Sequence, residues 1–148
     1  MQRIVIAAAA VIAIGSTAAF SQNAGIIAQR IDVMKGVGGG AKAGGQMMRG
    51  EAPFDLAKVQ AALTTYADAA KKMPTLFPDD SKTGGDTKAL PAVWEKTAEF
   101  KAAWTKFAGD IAAGQGAIKD EASFKSEWPK VMANCGGCHK VFHEPPKQ

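Results

Sequence analysis

The feature that most constrains this chain is a spacing. Along four separate stretches, inward-type residues recur alternately three and four positions apart. The first stretch runs from about 24 to 48, with Ile27, Arg30, Met34, Val37, Ala41, Gly44 and Met48 in register. The second follows Pro53, with Asp55 placed to cap it, and carries Leu56, Val59, Leu63, Tyr66, Ala70 and Met73 up to Pro74. The third opens at Pro91 with Val93, Thr97, Phe100, Trp104, Phe107 and Ile111, and ends at Gly114 and Gly116. The fourth follows Asp120 with Phe124, Trp128, Val131, Cys135, Cys138 and Phe142, and Pro145-Pro146 ends it. Such spacing gives each helix one apolar stripe, and stripes of this kind pack about 20° from antiparallel. No segment alternates polar and apolar residues as a half-buried strand does. The fold class is therefore all-α, an antiparallel four-helix bundle.

Two local features work against a regular bundle. Pro129 removes a backbone hydrogen bond inside the fourth helix, which predicts a kink or a late start there. The first helix holds Gly36, Gly38, Gly39, Gly40, Gly44 and Gly45. At about 1 kcal/mol each relative to alanine, these cost an isolated helix roughly 6 kcal/mol. Either tertiary packing holds that segment or part of it is not helical. The connection from Pro74 to Leu90 is long for a bundle, a length usually tied to function or mobility.

The N-terminus reads as an export signal. Arg3 gives a positive start, Ile4 to Ile14 is an unbroken apolar run, and Ala19-Phe20-Ser21 fits a cleavage site. The run is shorter than the ~20 residues a membrane-spanning helix needs. The expected organisation is a signal peptide over 1–21 and one domain over 22–148, with no stable membrane insertion after cleavage. Removing Arg3 from the eighteen basic residues leaves seventeen against fourteen acidic ones, a net charge of +3. With no dense basic run or basic helix face, the chain lacks the footprint of a nucleic-acid binder.

Chemistry is concentrated in Cys135-Gly136-Gly137-Cys138-His139, the C-x-x-C-H arrangement of c-type haem attachment. Thiols three apart on a helix reach the two vinyl groups on adjacent pyrroles. The next residue then places an imidazole under the iron, and the two glycines let a porphyrin approach the backbone. Other readings of the same residues are a thiol–disulfide site, a zinc site and a plain disulfide. Thiol–disulfide sites usually sit at a helix N-terminus after a strand. Zinc held by Cys135, Cys138, His139 and His143 would have to span about 12 Å of continuous helix, against bonds of about 2.0–2.3 Å. Trp94, Phe100, Trp104, Phe107 and Phe142 supply enough aromatic surface to wall a porphyrin, although any one of them could equally be ordinary core.

These residues resemble the class II c-type cytochromes, the cytochrome c′ family and its low-spin relatives. That family combines an export signal, a four-helix bundle and C-x-x-C-H near the C-terminus. Further likenesses are Arg30 with Met34, the run Met47 to Asp55, Leu76-Phe77-Pro78 and Pro91-Ala92-Val93-Trp94. The glycine-rich first helix departs from the pattern, as does His143 where a basic residue is expected. The resemblance implies one covalent haem c on Cys135 and Cys138, with His139 as the proximal iron ligand.

What occupies the sixth iron position separates two roles. A methionine there implies a periplasmic electron-transfer protein, cycling between Fe(II) and Fe(III) without bond chemistry on a substrate, with a redox protein as partner. An open site implies a five-coordinate binder of small gases such as nitric oxide. Met34 is the candidate ligand, because in an antiparallel bundle the start of the first helix lies beside the end of the fourth. Met73 is its rival; Met47 and Met48 lie about 20 Å further along the helix, and Met132 is on the fourth helix itself. Arg30, one turn before Met34, is a candidate partner for a haem propionate, or a snorkelling surface arginine. The resemblance also implies a homodimer through the first two helices.

Overall fold

The structure, a computed structural model, describes residues 16–145, with side chains described from residue 24. Residues 1–15 of the predicted signal peptide lie outside the described residues. Helix α1 spans Ser16–Met48, α2 Leu56–Lys72, α3 Ala92–Glu95, α4 Thr97–Ala117 and α5 Glu121–Phe142. Helix α1 starts upstream of the predicted position 24, since residues 16–23 contain neither glycine nor proline. The third predicted helix is divided. Lys96 leaves helical geometry at φ −116° and ψ 48°, so α3 is a single turn followed by α4. The two act as one arm, and the molecule is a four-helix bundle as the spacing predicts.

The bundle is assembled as neighbouring pairs, with α1 on α2, α2 on α4 and α4 on α5. The predicted stripes are mostly the buried ones; Thr97 is exposed, and at the end of α1 Met47 is buried in place of the predicted Met48. Val59, Leu63, Tyr66 and Met73 of the second stripe are enclosed, as are Phe100, Trp104, Phe107 and Ile111 of the third and Phe124, Trp128, Val131 and Phe142 of the fourth. Each fully buried side chain of this size contributes about 1.5–3 kcal/mol. Asp55 caps α2 by accepting from Lys58 N at 3.1 Å. Asp120 caps α5 in a reciprocal box, accepting from Ser123 N at 2.8 Å while Ser123 Oγ accepts from Asp120 N. With that cap in place α5 begins on time and runs through Pro129, so a late start does not occur.

Helix α1 is helical through all its glycines, and packing explains it. A Cβ on Gly44 would lie 2.1 Å from Trp128 Cζ2, and one on Gly40 would lie 3.0 Å from both Ala62 Cβ and Tyr66 Oη. The backbone of α1 therefore approaches the Trp128 ring more closely than any larger residue allows, and approaches α2 at Gly40 closely enough that a larger residue fits only if its neighbours shift. Gly38, by contrast, faces open space. Gly44→Ala is expected to destabilise the protein by about 1–3 kcal/mol through overpacking against a buried ring. Gly38→Ala should stabilise it by up to about 1 kcal/mol. Urea midpoints for the two variants should move in opposite directions; equal shifts would show that close packing is not what holds this segment.

The long connection is ordered by short 3-10 turns at Met73–Thr75 and Asp79–Ser81. Its end pairs with the end of α5. Leu90 N donates to Phe142 O at 3.0 Å, and Glu144 N donates to Lys88 O at 2.8 Å. Among the described residues no helix is long and apolar enough to cross a membrane.

Candidate cofactor site

The last two turns of α5 carry Cys135, Cys138 and His139. Residues three and four apart share one helix face, and here that face borders an apolar cavity that is partly open to solvent. Met34 and Val37 of α1 line the same cavity, as do Phe100, Trp104 and Phe107 of α4. Phe142 and His143 line it too. The structure thus brings Cys135, Cys138, His139 and Met34 to one space. Met73 lines it as well, whereas Met47, Met48 and Met132 do not. Of the aromatics expected from sequence, Trp94 is absent from the wall and Phe77 takes part instead. Phe77 was legible only as part of Leu76-Phe77-Pro78, which gave no hint that the long connection folds back over the cavity.

Both cysteines are free and half-buried. Burial pushes both thiols above their ordinary value, and for Cys138 the neighbouring Cys135 adds to the effect. A thiol oxidoreductase needs the reverse, a thiolate favoured at a helix N-terminus. Burial lowers the His139 imidazole, with His143 contributing, which favours the neutral ring that ligates a metal. The His143 ring lies 4.8 Å from that of His139, centroid to centroid, and its Nδ1 is 2.6 Å from Glu144 O. No group of three or more His, Cys, Asp or Glu side chains is arranged to hold a bare metal ion among the described residues.

Arg30 is buried, 5% exposed, so it is not a snorkelling surface residue. Its Nη1 donates to Leu76 O at 3.2 Å and Ser81 Oγ at 3.1 Å, and its Nη2 to Ser81 O at 3.0 Å and Thr87 Oγ1 at 3.3 Å. These acceptors are all neutral. The guanidinium stacks 4.5 Å from the Phe77 ring centroid and borders a second cavity, which shares Met34, Phe77, Ala89 and His143 with the first.

Among the described residues, two buried donors, Tyr66 Oη and Trp104 Nε1, have no hydrogen-bond partner. Burial, and then Cys135, raise the Tyr66 phenol above its ordinary value. Trp104 lines the cavity, so a guest carrying acceptor atoms could satisfy a group that otherwise costs about 1–3 kcal/mol to leave unpaired. An apolar wall, two thiols and an imidazole on one face, and an unsatisfied indole donor fit a haem.

A profile of the family described as Cytochrome C′ matches residues 25–143. The chain belongs to the cytochrome c′ family. It is 47% identical over 134 residues to cytochrome c′ of Rhodopseudomonas palustris, covering 90% of this chain and 91% of that one. It is 38% identical over 120 residues to cytochrome c-556 of Agrobacterium fabrum, covering 80% and 81%. The solved structure of R. palustris cytochrome c′ superposes with a TM-score of 0.80 at 48% identity, covering 82% of this chain and 98% of that one. As in other cytochrome c′ family proteins, the cofactor is one covalently attached haem c. The relatives carry both cytochrome c′ and cytochrome c-556 names, so family membership alone does not choose between the two roles.

Proposed function

We propose that this cytochrome c′ family member is a periplasmic electron-transfer protein, with haem attached at Cys135 and Cys138 and the iron held between His139 and Met34. The observation that carries this reading is that Met34 and His139, from different helices, line the same cavity. The haem supplies a one-electron Fe(II)/Fe(III) couple when bound. The chain's own part is to fix axial ligands, exclude water and set the potential. The walls of Phe100, Trp104 and Phe107 give a low-dielectric surround, and the neutral His139 imidazole is ready to donate its lone pair. Arg30 brings a buried positive charge whose described partners are uncharged, and a propionate would compensate it. No bond chemistry on a substrate is required of any residue, and a redox protein is the partner. The outer groove between α1 and α2, lined by Gly36, Gly40, Ala43 and Gly44, is the face proposed for a homodimer.

The ferric spectrum of the purified protein at neutral pH tests the reading. A low-spin spectrum is expected; a high-spin one would leave the gas-binding role in front. Export is tested separately. The intact mass of protein recovered from the periplasm should lack residues 1–21 and include one haem. Recovery of the uncleaved chain in membranes would overturn the cleaved signal.

A further inference from the structure

We infer that Arg30 is a positioning residue that latches the 74–90 connection in place, and that small molecules pass from the outer cavity to the Met34 side of the haem cavity past Phe77, faster when this connection opens. The inference rests on the haem reading above for what lies behind the connection, and on the structure alone for the latch.

Phe77 is the residue on which the arrangement turns. Its ring stands in the wall of both cavities. It is held edge-on against Phe100 at 4.9 Å and Trp94 at 5.9 Å between centroids. Its carbonyl accepts from Trp94 Nε1 at 3.0 Å, and its outer face is covered by the Arg30 guanidinium. Beyond it lies the second cavity, bordered by Lys35 and Lys88, which are both half-exposed or more. Phe77, with Met34, Ala89 and His143, therefore stands between an outer, partly polar chamber and an inner, apolar one.

Arg30 is what keeps it there. Between Leu76 and Ala89 the connection makes few backbone hydrogen bonds of its own; Ser81 N to Pro78 O, at 3.0 Å, is one. The four Arg30 bonds reach Leu76, Ser81 and Thr87, so they gather both halves of the connection onto one rigid helix. A planar fork can serve these divergent acceptors at once, and an ammonium cannot. Ser81 is itself fully buried and donates from Oγ to Pro78 O at 2.8 Å while accepting from Arg30.

Two measurements on the holoprotein test this. The first is hydrogen exchange of the amides of Leu76, Ser81 and Ala89. Arg30→Met should speed their exchange by about tenfold or more, the factor implied by losing even one charge-assisted bond, while α4 amides stay protected. Thr87→Val, which leaves the guanidinium intact, should do the same to Leu76 and Ser81 to a smaller degree and serves if Arg30→Met does not fold; Ala89 is read only in Arg30→Met, because its amide donates to Thr87 Oγ1. The second is the association rate of carbon monoxide with the ferrous protein in a Met34→Leu background, which keeps the wall volume but offers no thioether. Adding Phe77→Ala should raise the rate and Phe77→Trp should lower it. Unchanged exchange in both latch variants overturns the latch, and equal rates for the two Phe77 variants overturn the route. If carbon monoxide produces no spectral change at all, the haem reading fails instead. The exchange result is independent of it, and of whether Met34 is a ligand.

Discussion

Replacing Cys135 and Cys138 together by alanine is expected to abolish covalent haem entirely. Wild-type protein made with haem-maturation machinery should keep its colour on the polypeptide after acid–acetone extraction. The double variant should lose all of it, and each single variant should retain attachment through one remaining thioether. The expectation rests on placement as well as motif. Both sulfurs lie on the α5 face that borders the aromatic-walled cavity, and burial favours the protonated form of both thiols until they react. The haem-free double variant should also be less stable, because a ligand bound only by the folded state adds its binding free energy to folding, and because Trp104 Nε1 stays unpaired. Colour retained by the double variant, or extracted from the wild type, would refute attachment at these two residues.

Much of this was legible in the sequence, and the reasons differ by element. The stripes of α2, α4 and α5 are composed of large apolar side chains, whose burial is dictated by their own transfer free energy, so spacing alone locates them. The caps were legible because Asp55 and Asp120 satisfy backbone donors within three residues of themselves. The glycines of α1 were not, since what makes Gly44 favourable is the Trp128 ring, which is eighty-four positions away in the chain. The break at Lys96 was likewise hidden, because α3 is tied through Trp94 to the Phe77 carbonyl rather than by any local breaker. At the site, the attachment motif announces itself through side-chain chemistry. Arg30 and Phe77 do not, because their roles depend on where residues 76, 81 and 87 fold back, and loop paths are set by contacts distant in sequence.

Met34→Ala is expected to convert the protein from low-spin to high-spin, lower its reduction potential and allow exogenous ligands to bind faster. The thioether is a soft ligand that favours Fe(II), so its loss should shift the couple downward. The fold should persist. Met34 is only half-buried in the structure, so the cost should sit near the low end of the roughly 2–5 kcal/mol seen for methionine-to-alanine cavities, and two thioethers with His139 should still hold the haem. Met73→Leu is the matching control. Met73 lines the same cavity and is 4% exposed, yet its replacement should leave the spectrum low-spin. If Met73→Leu opens the site and Met34→Ala does not, the ligand assignment moves to α2. If the wild type is already high-spin and Met34→Ala changes nothing, the electron-transfer reading gives way to gas binding. The glycines just beyond Met34 connect the two roles. Gly36, Gly38 and Gly39 are exposed, and an added Cβ at Gly38 or Gly39 would meet nothing, so each lowers local helix stability by up to about 1 kcal/mol relative to alanine without a packing return. A helix softened there lets the sulfur leave the iron transiently at small cost, and alanine at Gly38 and Gly39 should therefore slow ligand binding in a protein whose resting spectrum stays low-spin.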